Sequence, residues 1–208
     1  TEDAPIRGNE AFPYSHHKRL VEEILARARV EQPELAQLIF RPGTILGEGA
    51  SNQITNIFTK PVIVGLRESA TPFVFVHDED VVRAIADGVR GGWTGTYNLA
   101  GEGVLTLREI AVRLHKRFVG IPERVLRKGI GVLQRLGLTQ YGPEQTAFLA
   151  YRPVLSSEKL RRERGFRLMA SRDVFELWAR SSAMLGAHEE PPRATSSAHA
   201  PAGARGAR

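Results

Sequence analysis

The sequence predicts an α/β protein organised on a parallel sheet, and three stretches carry that prediction. Residues 35–41 form a short apolar run stopped by Pro42 and Gly43, the pattern of a strand buried on both faces. Residues 96–100 and 106–118 read as strand, turn and capped helix, the alternation expected where helices cover a sheet. Ahead of both, residue 13 to about residue 30 carries apolar side chains at helical spacing. Leu20, Val21, Ile24 and Leu25 fall on one stripe, and Pro13 suits a first turn.

Taken in order, the first helix ends at the polar break 31–34, where Pro33 stops it. The strand 35–41 follows, and a ligand crevice is expected beyond its carboxyl end, at Pro42 and Gly43. Residues 44–51, with Gly47 and Gly49, read as a flexible loop, and 52–58 as a short helix capped by Ser51 or Asn52. The runs 61–65 and 72–77, separated by the polar 67–71, suggest a hairpin or a pair of edge strands. A helix over 77–89 follows from its acidic first turn, with Val81, Val82, Ile85 and Ala86 as its apolar side.

Asp80 near that start reads as a ligand of backbone amides rather than a catalytic carboxylate, whereas His77 could equally sit beside a substrate. Thr106 and Glu109 form a capping box on a helix whose Leu107, Ile110, Ala111, Leu114 and Phe118 keep helical spacing. Residues 122–138 are a basic amphipathic stretch that could lie on a membrane surface or bind a partner; packing on its own domain is the preferred reading. Residues 141–153 hold aromatics that could line a pocket. A short helix over 156–165 ends at Gly165, its basic residues balanced by Glu158 and Glu163, and 171–180 is a last helix with Val174, Phe175, Leu177 and Trp178 for the core. From Ala187 to Arg208 the composition turns to Pro, Ala, Ser, Gly and Arg, which reads as a disordered tail.

Composition narrows the functions. The net charge of +6 rests on 24 arginines and 5 lysines scattered along the 208 residues. A nucleic-acid surface would cluster them with stacking aromatics, so no nucleic-acid partner is expected. No apolar run is long enough to span a membrane, and no basic-then-apolar signal opens the chain. With no cysteine there is neither a disulfide framework nor a thiolate metal site, and the six histidines share no spacing typical of zinc, so no metal is expected and a cytoplasmic location is permitted.

The chemistry concentrates at Tyr14 and Lys18. Four residues apart on a helix they are stacked neighbours, so the ammonium raises the positive potential at the phenol and favours its phenolate, which makes Tyr14 a candidate acid/base. The plainer alternative is a solvated helix face.

Four stretches then occur in a telling order: Tyr14-Ser-His-His-Lys18; residues 38–47, with Arg41-Pro42-Gly43-Thr44; residues 73–84; and residues 95–101 followed by a helix. Over roughly residues 1–186 the chain resembles the C-terminal half to two-thirds of the extended short-chain dehydrogenase/reductases, the NAD-dependent epimerase/dehydratase family. The resemblance implies a partial Rossmann-like, doubly wound parallel sheet whose N-terminal half is absent, with a smaller α/β substrate-binding lobe. Residues 1–47 would complete the dinucleotide-binding domain, and 48–186 would form the substrate lobe interleaved with late Rossmann elements at about 77–100.

No glycine-rich strand-to-helix turn occurs in the sequence. By resemblance that motif, and a catalytic Ser or Thr, would lie upstream of Thr1, and the chain is expected to be a fragment that holds no dinucleotide tightly on its own. The implied cofactor is NAD or NADP. Tyr14 and Lys18 would be catalytic, with Lys18 also on the nicotinamide ribose; Arg41, Pro42, Gly43 and Thr44 would border the nicotinamide, and Asn52, Arg67 and His77 the substrate. The substrate would be a small molecule, either a nucleotide sugar undergoing redox, epimerisation or dehydration, or a hydrophobic ketone or alcohol of sterol-like or acyl type, and the full-length protein could be a homodimer. A non-catalytic module that keeps the fold without the chemistry is the alternative of another class.

Overall fold

Pro13 at a first turn and a run free of further breakers set α1 over Pro13–Glu31. The computed structural model describes residues 1–8, 10, 13–137 and 152–188. After α1 come β1 (Leu38–Pro42), β2 (Thr44–Leu46), α2 (Gln53–Thr59), β3 (Val62–Leu66), β4 (Pro72–Phe73), β5 (Phe75–His77) and α3 (Asp78–Arg90). The chain continues through β6 (Gly95–Leu99), β7 (Leu105–Thr106), α4 (Leu107–Arg113), β8 (Arg117–Ile121), α5 (Glu123–Arg135), α6 (Glu158–Arg164) and α7 (Ser171–His188).

Parallel pairing dominates, as the α/β class requires. β1 runs beside β6 from Leu38↔Gly95 to Pro42↔Leu99, β2 beside β5, and β3 beside β8, while β4 and β7 form the antiparallel pair among the described strands. β1 and β2 are one line of chain broken only at Gly43, and β4 and β5 one line broken only at Val74. The two breaks meet. Gly43 N–H donates to Leu99 O (2.8 Å) and Thr44 N–H to Val74 O (3.1 Å). A Cβ on Gly43 would lie 3.0 Å from Val74 O and 3.2 Å from Val74 Cγ2, so a side chain there would force the crossing apart.

Because side chains alternate across a strand, β5 joins the two cores. Phe75 belongs to one with Phe58, Phe73, Phe175 and Trp178, and Val76 to the other with Tyr97, Leu99, Leu160 and Phe166. Phe58 is the hub of the first, edge-on to Phe73, Phe75, Phe175 and Trp178 at 5.4–6.2 Å between centroids. Such pairs contribute about 0.5–1.5 kcal/mol each beyond their buried area.

Several elements depart from the sequence reading. Of the hairpin or pair of edge strands expected for 61–65 and 72–77, the hairpin does not form: the runs pair with β8, β7 and β2 instead of with each other, each in a two-stranded sheet. The predicted helix 107–118 stops at Arg113; His115 takes a left-handed φ of 53°, and Phe118 lies in β8 instead. The face that α3 buries is Asp80, Ala84 and Gly88, while Val82 and Ile85 are exposed. Small residues win there because the helix lies close on β1: a Cβ at Gly88 would meet Leu38 Cδ2 at 2.5 Å.

Asp80 does accept a backbone N–H, but from Met169 (2.8 Å), with Arg83 on its other oxygen (2.6 Å). Leu177 is exposed, whereas Val174, Phe175 and Trp178 are buried as expected. Ala187 and His188, the first residues of the predicted tail, are the last of α7; the rest of that stretch, like the aromatic stretch up to Tyr151, lies outside the described residues. No described helix is long and apolar enough to cross a membrane, and no group of described His, Cys, Asp or Glu residues could hold a metal ion.

Candidate functional site

The first turns of α1 carry Tyr14 and Lys18 to one side of the helix, with Lys18 Nζ 5.6 Å from the centre of the Tyr14 ring. The helix is fixed to β1 at both ends of their overlap. Gln37 at the foot of β1 receives a hydrogen bond from Arg29 (3.1 Å) and donates one to Leu25 O (3.1 Å). At the top, Arg41 Nε and Nη2 grip Glu22 at 2.6 and 2.9 Å, and Arg41 Nη1 donates to Glu2 O at 3.2 Å.

Arg41 is thus a brace between helix and strand, one that holds the Glu22 carboxyl below its ordinary range chiefly through the hydrogen bond between them. The stability this pair confers is present above the ordinary carboxylate pKa of about 4.5 and is lost as pH falls through the lowered folded value. Glu22→Gln is therefore expected to cost about 1–2 kcal/mol at neutral pH, for a charge-assisted pair that is only partly exposed. Urea unfolding should show the deficit shrinking as pH falls below that range; a deficit independent of pH would mean that packing, not charge, ties α1 to β1.

Two clefts meet at Tyr14. One, of about 860 Å³, lies between α1, β1 and the first residues of the chain, with Tyr14, Lys18, Glu22, Phe40 and Pro42 on its walls. The other, of about 710 Å³, lies over the Gly43/Val74 crossing and is lined by Tyr14, Thr44, Asn52, Ile54, Val74 and Arg152 among others. Tyr14, Pro42, Pro153 and Leu155 belong to both. Tyr14 is 63% exposed, so a ligand on either side can reach its ring. A smaller cavity of about 400 Å³ beside α6 involves neither Tyr14 nor Lys18.

Arg152 gives the second cleft its charge. Its guanidinium stacks 4.0 Å from the centre of the Phe73 ring and donates from Nη2 to Thr44 Oγ1 at 3.0 Å. Burial lowers its pKa to about 10, still far above neutrality, so the cleft holds a cation whose plane is fixed by an aromatic face and a hydroxyl. Asn52 does a local job at the rim: its Oδ1 accepts from Ile54 N and Thr55 N, and Thr55 Oγ1 returns a bond from Asn52 N, a capping box that starts α2.

Of the residues singled out by sequence, the two clefts bring together Tyr14, Lys18, Arg41, Pro42, Gly43, Thr44 and Asn52. Arg67 and His77 line neither cleft. Arg67 is exposed at the end of the β3–β8 pair, where its N–H donates to Ile121 O. His77 ends β5 at the start of α3, with Nδ1 3.3 Å from Asp78 Oδ1. Arg152 was not singled out; the signal available was a lone cation in a stretch already read as pocket lining.

No model of a known protein family matches the chain. Among curated proteins it is 25% identical over 139 residues to an uncharacterised protein of Mycobacterium tuberculosis, covering 65% of this chain and 36% of that one. It is 32% identical over 124 residues to a second uncharacterised protein of the same organism, covering 58% of this chain and 14% of the other. The chain thus spans about a third of the first relative's length and a smaller part of the second's. Among solved structures it is similar to a dTDP-glucose 4,6-dehydratase from Bacillus anthracis in complex with NAD (TM-score 0.63, 15% identity, 88% of this chain and 55% of that one). It is also similar to a UDP-glucose 4-epimerase from Bifidobacterium longum in complex with NAD+ and UDP (TM-score 0.62, 12% identity, 90% and 59%). At these identities the likeness is one of fold: the mixed α/β arrangement with parallel pairing is the Rossmann-like architecture of those dehydratase and epimerase chains.

Proposed function

We propose that the chain carries the proton-transfer helix and the substrate cleft of a nicotinamide-dependent oxidoreductase acting on nucleotide sugars, in an epimerisation, dehydration or dehydrogenation. The observation that carries this reading is that Tyr14 is the shared wall of two clefts, one holding Lys18 and the other Arg152. A reaction that couples proton transfer to hydride transfer needs its acid/base between cofactor and substrate. The fold neighbours, a dTDP-glucose dehydratase and a UDP-glucose epimerase, supply the substrate class.

The residues present fit the nicotinamide-ribose end of NAD or NADP. Lys18 points an ammonium into the α1–β1 cleft, and the crossing at Gly43 leaves no Cβ between β1 and Val74. When bound, the nicotinamide supplies the acceptor or donor for hydride. The chain's own residues do the rest: Tyr14 takes or returns the proton at the substrate hydroxyl, and Lys18, 5.6 Å from the centre of the Tyr14 ring, holds a ribose hydroxyl. Arg152 binds an anionic group of the substrate, for which its fork suits a phosphate.

Apolar lining by Ile45, Ile54, Val74 and Leu155 favours a second reading, a reductase of hydrophobic ketones or alcohols. Arg152 favours the first reading, because an anionic substrate group gains a charge-assisted bond from the guanidinium that Phe73 and Thr44 hold in the cleft, and an apolar one does not.

The test is to load the full-length protein with cofactor, add UDP- and dTDP-hexoses, and follow both the absorbance of reduced nicotinamide and, by chromatography, conversion of the sugar, because epimerisation and dehydration return the hydride and leave no net reduced cofactor. Reduced nicotinamide or a converted sugar with a nucleotide hexose supports the proposal; reaction only with apolar alcohols moves it to the second reading, and none with either class leaves the non-catalytic alternative. In the same protein Lys18→Met is expected to weaken cofactor binding by about 10-fold or more, the loss of one or two charge-assisted hydrogen bonds, with Lys18→Arg restoring only part. Calorimetric titration showing wild-type affinity in Lys18→Met would make the Tyr14/Lys18 spacing a solvated helix face.

A further inference from the structure

We infer that α5 is a membrane-surface helix, docking the protein on anionic lipid headgroups. The helix is segregated in sequence. At 3.6 residues per turn, Val125, Leu126, Ile130, Val132, Leu133 and Leu136 fall within an arc of about 160°, and Arg124, Arg127, Lys128 and Arg135 fall on the remainder. Packing on the rest of the chain was the preferred expectation. Among the described residues that packing is shallow, since α5 has no buried residue at all. Leu126 and Ile130 are half-buried, while Val125, Val132 and Leu136 are 59%, 54% and 65% exposed.

The exposed apolar row does not stand alone. By the same helical spacing it lies between the half-buried row of Leu126 and Ile130 and the cationic row of Arg124, Lys128 and Arg135. Long basic side chains beside an apolar edge can keep their heads at phosphate level while the edge enters the acyl boundary. On the helix four cations stand against Glu123. At its N-terminal end the exposed Glu68 carboxylate, which accepts the Glu123 N–H at 3.3 Å, and exposed Arg67, whose N–H meets Ile121 O, offset each other, so the excess rests on Arg124, Arg127, Lys128 and Arg135.

The backbone tells the same way. Gly129 and Gly131 sit in the middle of this 13-residue helix, where each is unfavourable by about 1 kcal/mol relative to Ala, and an isolated helix of this length is marginal in water. A helix so composed gains most from covering its apolar face. Complementarity selects the cover: the surface that meets both an apolar edge and a cationic flank is an anionic lipid interface, and α5 lies on it rather than crossing it, being too short and too charged to span.

The experiment is flotation of the 208-residue chain with vesicles of phosphatidylcholine alone, or mixed with phosphatidylglycerol, at low and high salt. Two variants accompany it, Val132→Asp with Leu136→Asp, and Arg124→Glu with Lys128→Glu and Arg135→Glu; all sites are exposed, and circular dichroism verifies the fold. Expected are salt-sensitive binding to the phosphatidylglycerol vesicles and a loss of about tenfold or more in both variants. Absence of binding to anionic vesicles overturns the inference. So does binding that survives both variants, which would place it in the Arg-bearing C-terminal residues, and so does a shift from dimer to monomer in the Asp variant without lipid binding, which would make the face a contact between copies.

Discussion

Tyr14→Phe is expected to lower turnover by about 10²–10⁴-fold while leaving cofactor and nucleotide-sugar affinity nearly unchanged. The size follows from what is removed. One hydroxyl is lost from a ring that is 63% exposed, so packing and stability barely change, whereas the proposed acid/base disappears from the junction of the two clefts. The ring itself remains between the two clefts. Steady-state kinetics with separate binding titrations check the prediction. A Tyr14→Phe protein within a few-fold of wild type would move the proton to another group, and a loss confined to KM would make Tyr14 a contact for substrate rather than its acid/base.

Arg152→Met is expected to weaken nucleotide-sugar binding by about 10- to 150-fold, the range for losing hydrogen bonds to a charged partner. Methionine keeps an apolar stem against Phe73, from which the guanidinium now lies 4.0 Å, so the loss reads the charge more than the packing. Arg152→Lys should recover only part, because an ammonium cannot hold the stacked plane and the bond to Thr44 Oγ1 while presenting a fork to a phosphate. Titration with the nucleoside diphosphate alone separates the roles. An undiminished affinity in Arg152→Met, with a lowered melting temperature, would make the guanidinium a structural stack over Phe73.

The two residues differ in how legible they were. Tyr14 and Lys18 could be found because helical spacing alone fixes which side chains stack, and a helix that begins at Pro13 sets the phase. The capping boxes at Asn52/Thr55 and Thr106/Glu109 were readable for the same reason: the bond partners lie within one turn of sequence. Arg152 was not readable in this way. It meets Thr44 across 108 residues, and nothing local announces that pairing.

Strand partnership failed similarly. The runs 61–65 and 72–77 look like neighbours because they are close in sequence, yet parallel pairing sends Val62 to Arg117 and Phe75 to Thr44. Arg41 shows what a motif leaves unsaid. It lines the cleft with Tyr14 and Lys18, as its place in the Arg-Pro-Gly-Thr run suggests, but its guanidinium is also held by Glu22 and Glu2, partners that nothing local in the sequence announces. On α3, hydrophobicity pointed to Val82 and Ile85, but the close approach to β1 selected the small side chains Ala84 and Gly88.

The measurement that bears most directly on the arrangement is the structure of the full-length protein with NAD and a UDP- or dTDP-hexose bound together. Expected are a ribose hydroxyl of the cofactor within hydrogen-bond reach of Lys18 Nζ, a sugar oxygen within reach of the Tyr14 hydroxyl, and the sugar-nucleotide pyrophosphate on Arg152. A sugar seated away from Tyr14, or a pyrophosphate that leaves Arg152 on Thr44 and Phe73 untouched, would contradict it.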